Sequence, residues 1–239
     1  MKKTIINSEI TVVIVLYRET FELISKTLST LKSFNKIIID NDNNLKLKKK
    51  IEDQFDISNY ILNEKNIGFS AGYNQGIKLS DTTFTLVLGP DCLISEADIL
   101  KLKKKLLDYE NCFLVSPLSY DDNDKITYSG GPLPENASQN ISLDIAGDTC
   151  VESTLGFCMF FKTQNIIKND LLFDENFFIY FSDHDLCRKI KKLKKNVIQI
   201  SNCKATHEHG TIKVRNKYLK KFIREFHFNK DRYYYYYKI

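Results

Sequence analysis

The sequence predicts an α/β fold with a mostly parallel central sheet flanked by helices, followed by a basic and aromatic helical tail. In the first hundred residues, short β-branched runs alternate with segments whose apolar residues recur at helical spacing. The 239 residues, 43% of them hydrophobic, can form one sizeable core but are too few for two comfortable domains. We therefore expect one domain over residues 1–213 and a tail over residues 214–239 that packs on it or associates with a membrane.

The first elements follow from the positions of apolar and polar residues. Residues 11–16 form an uninterrupted Thr, Val, Ile and Leu run, which predicts a strand buried on both faces. Apolar residues at helical spacing predict a helix within residues 19–33. Residues 36–39 form a second buried run, which the polar cluster at residues 40–44 ends as a loop. A further strand is predicted near residues 60–62.

The later elements are marked by glycine, capping and proline signals. A loop leads into a helix over residues 66–79, and a strand follows at 84–88. Ser95 and Asp98 have the spacing of a capping box, which predicts a helix start at residue 96. From about residue 116 to 148 the pattern dissolves into a polar stretch, of a length that is usual for functional or mobile loops. The remaining predictions are strands at 154–161 and 197–200 and a helix from about 183.

Charge and cysteine content exclude little but favour a cytoplasmic chain. The net charge is +5, yet the lysines alternate with acids and with apolar helical positions, as on solvated helix faces. The six cysteines show no C-x-x-C spacing, so reduced and mostly buried thiols are expected rather than a zinc site. The apolar runs are far shorter than a membrane span, and the first residues lack the apolar core of a secretory signal.

Aspartates follow several predicted apolar runs, where a parallel sheet binds its ligands. Asp40 and Asp91 each follow a strand, and Asp183 and Asp185 follow the aromatic residues 177–181. A single aspartate in such a place is more often a helix cap or a turn residue. Their recurrence at several such ends indicates a binding site.

A glycine-rich segment and two histidines add to this site. The glycines within residues 66–76 recur every four residues, which suits close helix packing or free amides beside an anion or ribose. His207 and His209 follow the last predicted strand. Imidazole and carboxylate ligands together suit Mn²⁺ or Mg²⁺ beside a diphosphate, and we expect only one of the two histidines to be a ligand.

Several motifs share their order and spacing with one known family. They are Val13-Ile14-Val15-Leu16-Tyr17, Ile39-Asp40-Asn41, the segment 66–76, Leu88-Gly89-Pro90-Asp91, Gly156, the segment 173–188, and His207. Over roughly residues 10–212 the chain resembles the glycosyltransferase family 2 enzymes with the Rossmann-like GT-A fold, particularly the rhamnosyltransferase-like branch.

The resemblance implies a role for each matched position. The roles are donor binding for Tyr17, Asp40, Asn66, Gly68, Asn74 and Asp91, metal binding for Asp91 and His207, general-base catalysis for Asp183, and acceptor contact or support for Gly156, Asp185 and Arg188. It further implies a metal-dependent inverting glycosyltransferase that uses Mn²⁺ or Mg²⁺. The donor would be dTDP-rhamnose or a UDP-sugar, and the acceptor a glycan or lipid-linked hydroxyl in bacterial surface polysaccharide biosynthesis.

Three departures from the family pattern leave other readings open. Gly89 replaces the first acid of the metal-binding Asp-x-Asp motif, Ser182 replaces a glutamate, and Arg18 stands where asparagine is common. The first two favour a relative that binds a nucleotide-sugar or glycan without turnover. A nucleic-acid-binding protein is a third class, since the tyrosines at 233–237 could stack on bases. A solvated helix face and a packed terminal helix explain the same residues, and no nucleic-acid partner is expected. A packed terminal helix, membrane contact or self-association as a homodimer explains the tail equally well.

Overall fold

The computed structural model describes residues 7–121, 123–127, 129–137, 147–207 and 217–239. Its strands are β1 (Asn7–Leu16), β2 (Phe34–Asp40), β3 (Asn59–Leu62), β4 (Phe84–Leu88), β5 (Cys92–Ile94), β6 (Cys112–Tyr120), β7 (Ile126–Thr127), β8 (Gly130–Gly131), β9 (Thr149–Val151), β10 (Ser153–Thr154), β11 (Cys158–Lys162) and β12 (Asn196–His207). Its helices are α1 (Phe21–Ser29), α2 (Leu45–Gln54), α3 (Gly68–Leu79), α4 (Glu96–Asp108), α5 (Thr163–Lys168), α6 (Ser182–Lys192) and α7 (Lys217–Tyr237), with a 3-10 turn at Pro134–Asn136. The predicted α/β class is confirmed.

One ten-stranded sheet runs through the described domain. Its order is β3-β2-β1-β4-β11-β6-β12-β5, with β7 beside β6 and β9 beside β12. The strands β3, β2, β1 and β4 are parallel, whereas β11 runs antiparallel to both of its neighbours. The sheet is therefore parallel in one half and mixed in the other. The sequence did not distinguish these halves, because a fully buried apolar run looks alike in either direction.

Strand β1 is buried on both faces, as its composition predicts. Val12 and Ile14 belong to a core cluster with residues of α1, α2 and α4. Val13 points to the opposite face and belongs to a second cluster with residues of α3, α5 and α6. The helices thus cover both faces of the sheet. Because side chains alternate along a strand, one short run of β-branched residues supplies both cores.

Most local signals have the predicted effect, with one correction. The Ser95 hydroxyl accepts a hydrogen bond from the Asp98 amide at 3.0 Å and caps α4. The interpretation of residues 116–148 as patternless was wrong at its start, since β6 continues to Tyr120. Pro117 is tolerated in β6 because its neighbour β12 shifts register just after Ile200, which stands opposite this proline.

Two of the three glycines in α3 allow the helix to lie close to β1. A Cβ atom on Gly76 would lie 2.2 Å from a methyl group of Val13, and one on Gly72 would lie 3.0 Å from the Val15 methyl groups. Any larger side chain would push the helix off the sheet. Close helix packing therefore accounts for these two positions.

Within the described ranges, no helix has both the length and the apolar character needed to cross a membrane. All six cysteines are free thiols, and five of them are buried while Cys150 is exposed.

Candidate active site

A cavity of about 400 Å³ opens at the carboxyl ends of β1 and β4. The chain runs outward from β1 through β2 to β3 and then returns to place β4 on the other side of β1. Such a reversal of strand order leaves a crevice where loops diverge. Seven of the predicted site residues line this cavity, namely Tyr17, Asn66, Gly68, Asp91, Gly156, Asp183 and His207.

Strand pairing brings Asp91 and His207 together. The last residue of β12, His207, lies opposite Cys92 at the start of β5, and Asp91 directly precedes β5. The His207 Nε2 atom is 3.2 Å from Asp91 Oδ1, and the imidazole stacks on the Phe157 ring with centroids 4.9 Å apart. Residues 116 positions apart in the chain thus present one nitrogen and one carboxylate to the same wall of the cavity. His209 lies outside the described residues.

These two side chains fit part of the coordination shell of Mn²⁺ or Mg²⁺. Mg²⁺ commonly takes one or two protein ligands and completes its shell with phosphate oxygens and water. In the described part of the chain, no group of three or more His, Cys, Asp or Glu side chains could hold a metal ion. Two protein ligands of this kind would leave the rest of a metal shell to oxygen atoms of a bound ligand and to water.

Gly89 leaves room for the Asp91 carboxylate. A Cβ atom on Gly89 would lie 3.1 Å from Asp91 Oδ1, and the Gly89 amide donates to the Phe157 carbonyl at 2.7 Å. The Asp91 carboxylate thus lies beside residue 89, which matches the first acid of the Asp-x-Asp motif.

Asp183 also lines the cavity and is held by two backbone amides. Its Oδ2 accepts from the Gly156 amide at 2.8 Å, and its Oδ1 accepts from the His184 amide at 2.9 Å. A Cβ atom on Gly156 would lie 2.8 Å from the Phe69 ring, so only glycine lets the backbone at residue 156 lie this close to Phe69. The hydrogen bonds fix the orientation of a carboxylate that lines the cavity.

The loop that opens α3 is fixed against the segment 177–181. Gly68 has a left-handed φ of 87°, and a Cβ atom there would lie 2.5 Å from the Phe178 carbonyl oxygen. Its amide donates to Asn66 Oδ1 at 2.9 Å, and its carbonyl accepts from Asn41 Nδ2 at 3.1 Å. A larger residue at position 68 would be strained and would collide with backbone.

Two of the predicted donor-binding residues lie behind the cavity wall. The buried Asp40 accepts hydrogen bonds from the Tyr60 hydroxyl at 3.0 Å and the Asp42 amide at 2.8 Å. Asn74 joins α3 to the Phe173 backbone through two hydrogen bonds of 2.8 and 2.9 Å. In this structure both side chains hold neighbouring backbone and side chains in place and do not line the cavity. Direct contact with a donor stays a prediction for both.

The predicted acceptor residues Asp185 and Arg188 also lie off the wall and contact the C-terminal segment. Lys238 donates to Asp185 at 2.9 Å. The Arg188 guanidinium lies over the Tyr235 ring at 3.9 Å from its centroid, and its Nε is 3.4 Å from the Glu135 carboxylate. In this structure both residues tie α6 to its neighbours.

Glu19 lines the cavity although no motif marked it. Its carboxylate accepts a hydrogen bond from the Tyr17 amide. The pKa of Glu19 is raised to about 7, chiefly because the carboxyl is buried and also because Asp91 and Asp40 are negatively charged, while hydrogen bonds from backbone amides oppose the rise. A carboxyl so placed gains a proton easily and is sensitive to any positive charge that enters the cavity.

We expect Glu19→Gln to reduce the pH dependence of stability. The folded protein binds this proton more tightly than the unfolded chain, so the stabilisation present at low pH is lost as pH rises from about 4.5 to about 7. The free energy of unfolding falls by at most about 3 kcal/mol over this range, and the glutamine amide abolishes this fall because it does not titrate. Thermal unfolding across this range measures it. The same substitution at exposed Glu110 should leave the wild-type slope intact, and an unchanged slope in Glu19→Gln would contradict the assignment.

Helix α7 reaches the site through one buried aspartate. Asp231 is fully buried and accepts hydrogen bonds from three successive amides, Phe178 at 3.2 Å and Ile179 and Tyr180 at 2.9 Å each. Ile179 lines the cavity, and the Phe178 carbonyl accepts from the Phe69 amide at 2.6 Å. The tail therefore fixes the backbone of the segment that leads into Asp183.

Asp231→Ala should destabilise the protein and loosen this segment. Three amides lose their common acceptor, and unsatisfied buried donors cost about 1–3 kcal/mol each before water reaches them, so we expect a loss of about 3 kcal/mol. Chemical denaturation measures it, with faster hydrogen exchange at residues 178–180 as a local readout. Asn229→Ala, two residues away on the exposed side of α7, is the control. Equal exchange in both variants would show that Asp231 does not hold the segment.

Comparisons with known proteins agree with this architecture. Residues 11–178 match the family model for glycosyl transferase family 2. The low-salt glycan biosynthesis hexosyltransferase Agl10 of Haloferax volcanii is 24% identical over 220 residues, which cover 87% of this chain and 69% of that protein.

Two solved structures share the fold. GalNAc-T7 with UDP, GalNAc and Mn²⁺ aligns with a TM-score of 0.66 at 13% identity, and residues 1–349 of S. aureus TarS align with a TM-score of 0.61 at 16% identity. Both alignments cover 83% of this chain, which spans 43% of the GalNAc-T7 chain and 60% of the TarS chain. The fold is GT-A, as the sequence analysis predicted. The family model covers well over half of the residues, and the chain belongs to glycosyl transferase family 2.

Proposed function

We propose that this chain is a metal-dependent inverting glycosyltransferase that transfers a sugar from a nucleoside diphosphate to a hydroxyl group. One observation carries the proposal. The Asp91–His207 pair and the carboxylate of Asp183 line the same cavity. A donor diphosphate beside the pair and an acceptor hydroxyl beside Asp183 would place the anomeric carbon between them.

The donor would lie along the β1 side of the cavity. Its volume of about 400 Å³ lies within the range of about 300–1,000 Å³ that is typical of small-molecule sites. Tyr17, Asn66 and Gly68 line the cavity and would contact the nucleotide. Asp91 and His207 would hold Mn²⁺ or Mg²⁺, which when bound stabilises the negative charge on the departing diphosphate. The UDP and Mn²⁺ named for the GalNAc-T7 structure support this assignment.

Asp183 would act as the general base. As the acceptor oxygen forms its bond to the anomeric carbon, its proton moves to the Asp183 carboxylate and the bond from that carbon to the diphosphate oxygen breaks. The electron pair of the broken bond leaves with the nucleoside diphosphate. A single displacement inverts the anomeric centre. The Gly156 amide holds the carboxylate in place throughout.

The finer identity of the substrates is also part of the proposal. The rhamnosyltransferase-like resemblance favours dTDP-rhamnose, with UDP-sugars as the other donor class. A glycan or lipid-linked acceptor in bacterial surface polysaccharide biosynthesis follows from the same resemblance, and the glycan biosynthesis named for Agl10 supports a glycan product. We place the enzyme in the cytoplasm at the inner face of the cell membrane.

A thermal-shift panel tests the proposal. Nucleoside diphosphates and nucleotide-sugars are compared with and without Mn²⁺. Ligands that bind only the folded state raise Tm, so we expect nucleotides with one particular nucleobase to raise the Tm of the protein when Mn²⁺ is present. Products of the preferred donor are then analysed for transfer and anomeric configuration. Stabilisation without turnover would instead identify a non-catalytic binding relative. No metal-dependent response to any nucleotide would remove the proposal.

A further inference from the structure

We propose that α7 docks this protein on an anionic membrane surface through an exposed apolar stripe, which we call the α7 stripe. It consists of Phe222, Ile223, Phe226, Tyr233 and Tyr237. The inference concerns binding at α7 and does not depend on the proposed catalytic activity.

Helix α7 has one face that is already occupied. Asp231 and Tyr235 on this face are fully buried against the domain. The His227 ring stacks on Phe178 with centroids 4.3 Å apart, and the Tyr234 hydroxyl donates to Asp174 at 3.0 Å. These contacts fix the direction of the helix and thereby decide which of its other residues face outward.

The α7 stripe lies on a different face. Phe222, Phe226, Tyr233 and Tyr237 recur at spacings of four and seven, and Ile223 lies three residues before Phe226, which places the five on one side of a helix. Their exposed fractions lie between 43% and 79%. The rings of Phe222 and Phe226 stack at 6.3 Å, and those of Tyr233 and Tyr237 at 6.5 Å. The stripe thus presents two exposed aromatic pairs on one side of the helix, and exposed apolar groups clustered in this way often mark an interaction site.

Charge decides which partner fits. Residues 217–239 contain seven Lys and Arg residues and two Asp and Glu residues, which leaves 28 of each kind in residues 1–216. The whole net charge of +5 therefore belongs to this segment. A basic helix with an apolar stripe of Phe, Ile and Tyr suits the interface of an anionic bilayer, where each basic residue adds attraction. Two copies of the segment would repel each other, which disfavours pairing between stripes.

The docked helix would lie next to the proposed general base. Phe228 lines a second cavity, of about 160 Å³, together with Asp183 and His184. Phe228 lies on the side of α7 away from the stripe, so the helix contacts the cavity beside Asp183 while the stripe faces outward.

Vesicle sedimentation tests the proposal on the full chain. We expect it to pellet with vesicles that contain about one third phosphatidylglycerol in phosphatidylcholine and far less with phosphatidylcholine alone, with binding weakened by salt. The double variant Phe222→Ser and Phe226→Ser should lower the apparent affinity at least about tenfold. Deleting the whole tail is unsuitable, because Asp231 holds the active-site segment.

Two matched controls separate the stripe from general surface effects. Leu107 on α4 is exposed to 52%, close to the 55% of Phe226, so Leu107→Ser removes similar apolar surface elsewhere. The paired reversal Lys221→Glu and Arg224→Glu should weaken binding about tenfold, whereas Lys46→Glu and Lys49→Glu, at the same spacing on α2, should weaken it much less.

Nucleotide-induced thermal shifts of every variant report the donor site independently. Vesicle binding without any nucleotide response would support this inference while removing the proposed function. Equal pelleting of wild type and the stripe variant would overturn the inference. So would concentration-dependent dimerisation lost in the stripe variant without vesicle binding, or tighter binding to single-stranded nucleic acid than to anionic vesicles at physiological salt.

Discussion

Asp183→Asn should lower kcat by about two to four decades while leaving the affinity for the nucleotide-sugar donor near that of the wild type. The amide is close in shape to the carboxylate but cannot accept the acceptor's proton. One oxygen remains to accept from the Gly156 amide, while the hydrogen bond from the His184 amide is lost, so we expect the side chain to stay at the cavity wall with one of its two bonds. The donor contacts proposed at Tyr17, Asn66 and Gly68 are unchanged.

The measurement pairs turnover with donor binding. Rates with saturating donor and Mn²⁺ give kcat, and calorimetry with the nucleoside diphosphate gives the dissociation constant. Asp148→Asn is the matched control, because Asp148 is a partly buried carboxylate that is paired with Lys105 and does not line the cavity. It should change stability rather than kcat. Near-normal turnover in Asp183→Asn would remove Asp183 from the role of base.

The sequence predicted the fold and seven of the residues that line the cavity because both follow from short, local patterns. Buried β-branched runs locate the strands, and polar residues at their ends locate the crevice. Asp91 and His207 lie far apart in the chain, and their meeting became predictable only through the ordered family motifs. The structure supplies the physical cause, which is the pairing of β12 with β5.

Other parts of the candidate site depend on tertiary packing, which the pattern of a single sequence does not predict. Glu19 directly precedes α1 and resembles an ordinary residue at a helix start, so its burial in the cavity had no signal. Asp40 and Asn74 belong to matched motifs, yet in the structure their side chains form hydrogen bonds with Tyr60 and Phe173. The motifs therefore located the candidate site in the fold. They did not show which of their side chains line the cavity.

Asp91→Ala should abolish Mn²⁺-dependent donor binding and lower kcat/KM by about three decades or more. The proposed metal would lose its carboxylate ligand, and metal stabilisation of a developing diphosphate charge supplies several kcal/mol, each 1.4 kcal/mol of which is about tenfold in rate. His207→Ala should weaken metal binding less, because a neutral imidazole leaves the negative charge of Asp91 in the cavity. Calorimetric titration of Mn²⁺ into the protein with UDP or dTDP measures both effects without relying on turnover.

Asp91→Asn separates the metal role of this side chain from a structural one. The amide retains an oxygen near His207 Nε2, 3.2 Å from Asp91 Oδ1 in the wild type, so Tm without metal should stay close to the wild-type value. The charge that attracts the cation is gone, so the Mn²⁺ response should still be lost. Asp42→Asn removes a carboxylate from the neighbouring exposed loop and should leave the titration unchanged. If Asp91→Ala bound Mn²⁺ like the wild type, the cation would have to be held elsewhere, and the assignment of the Asp91–His207 pair would be wrong.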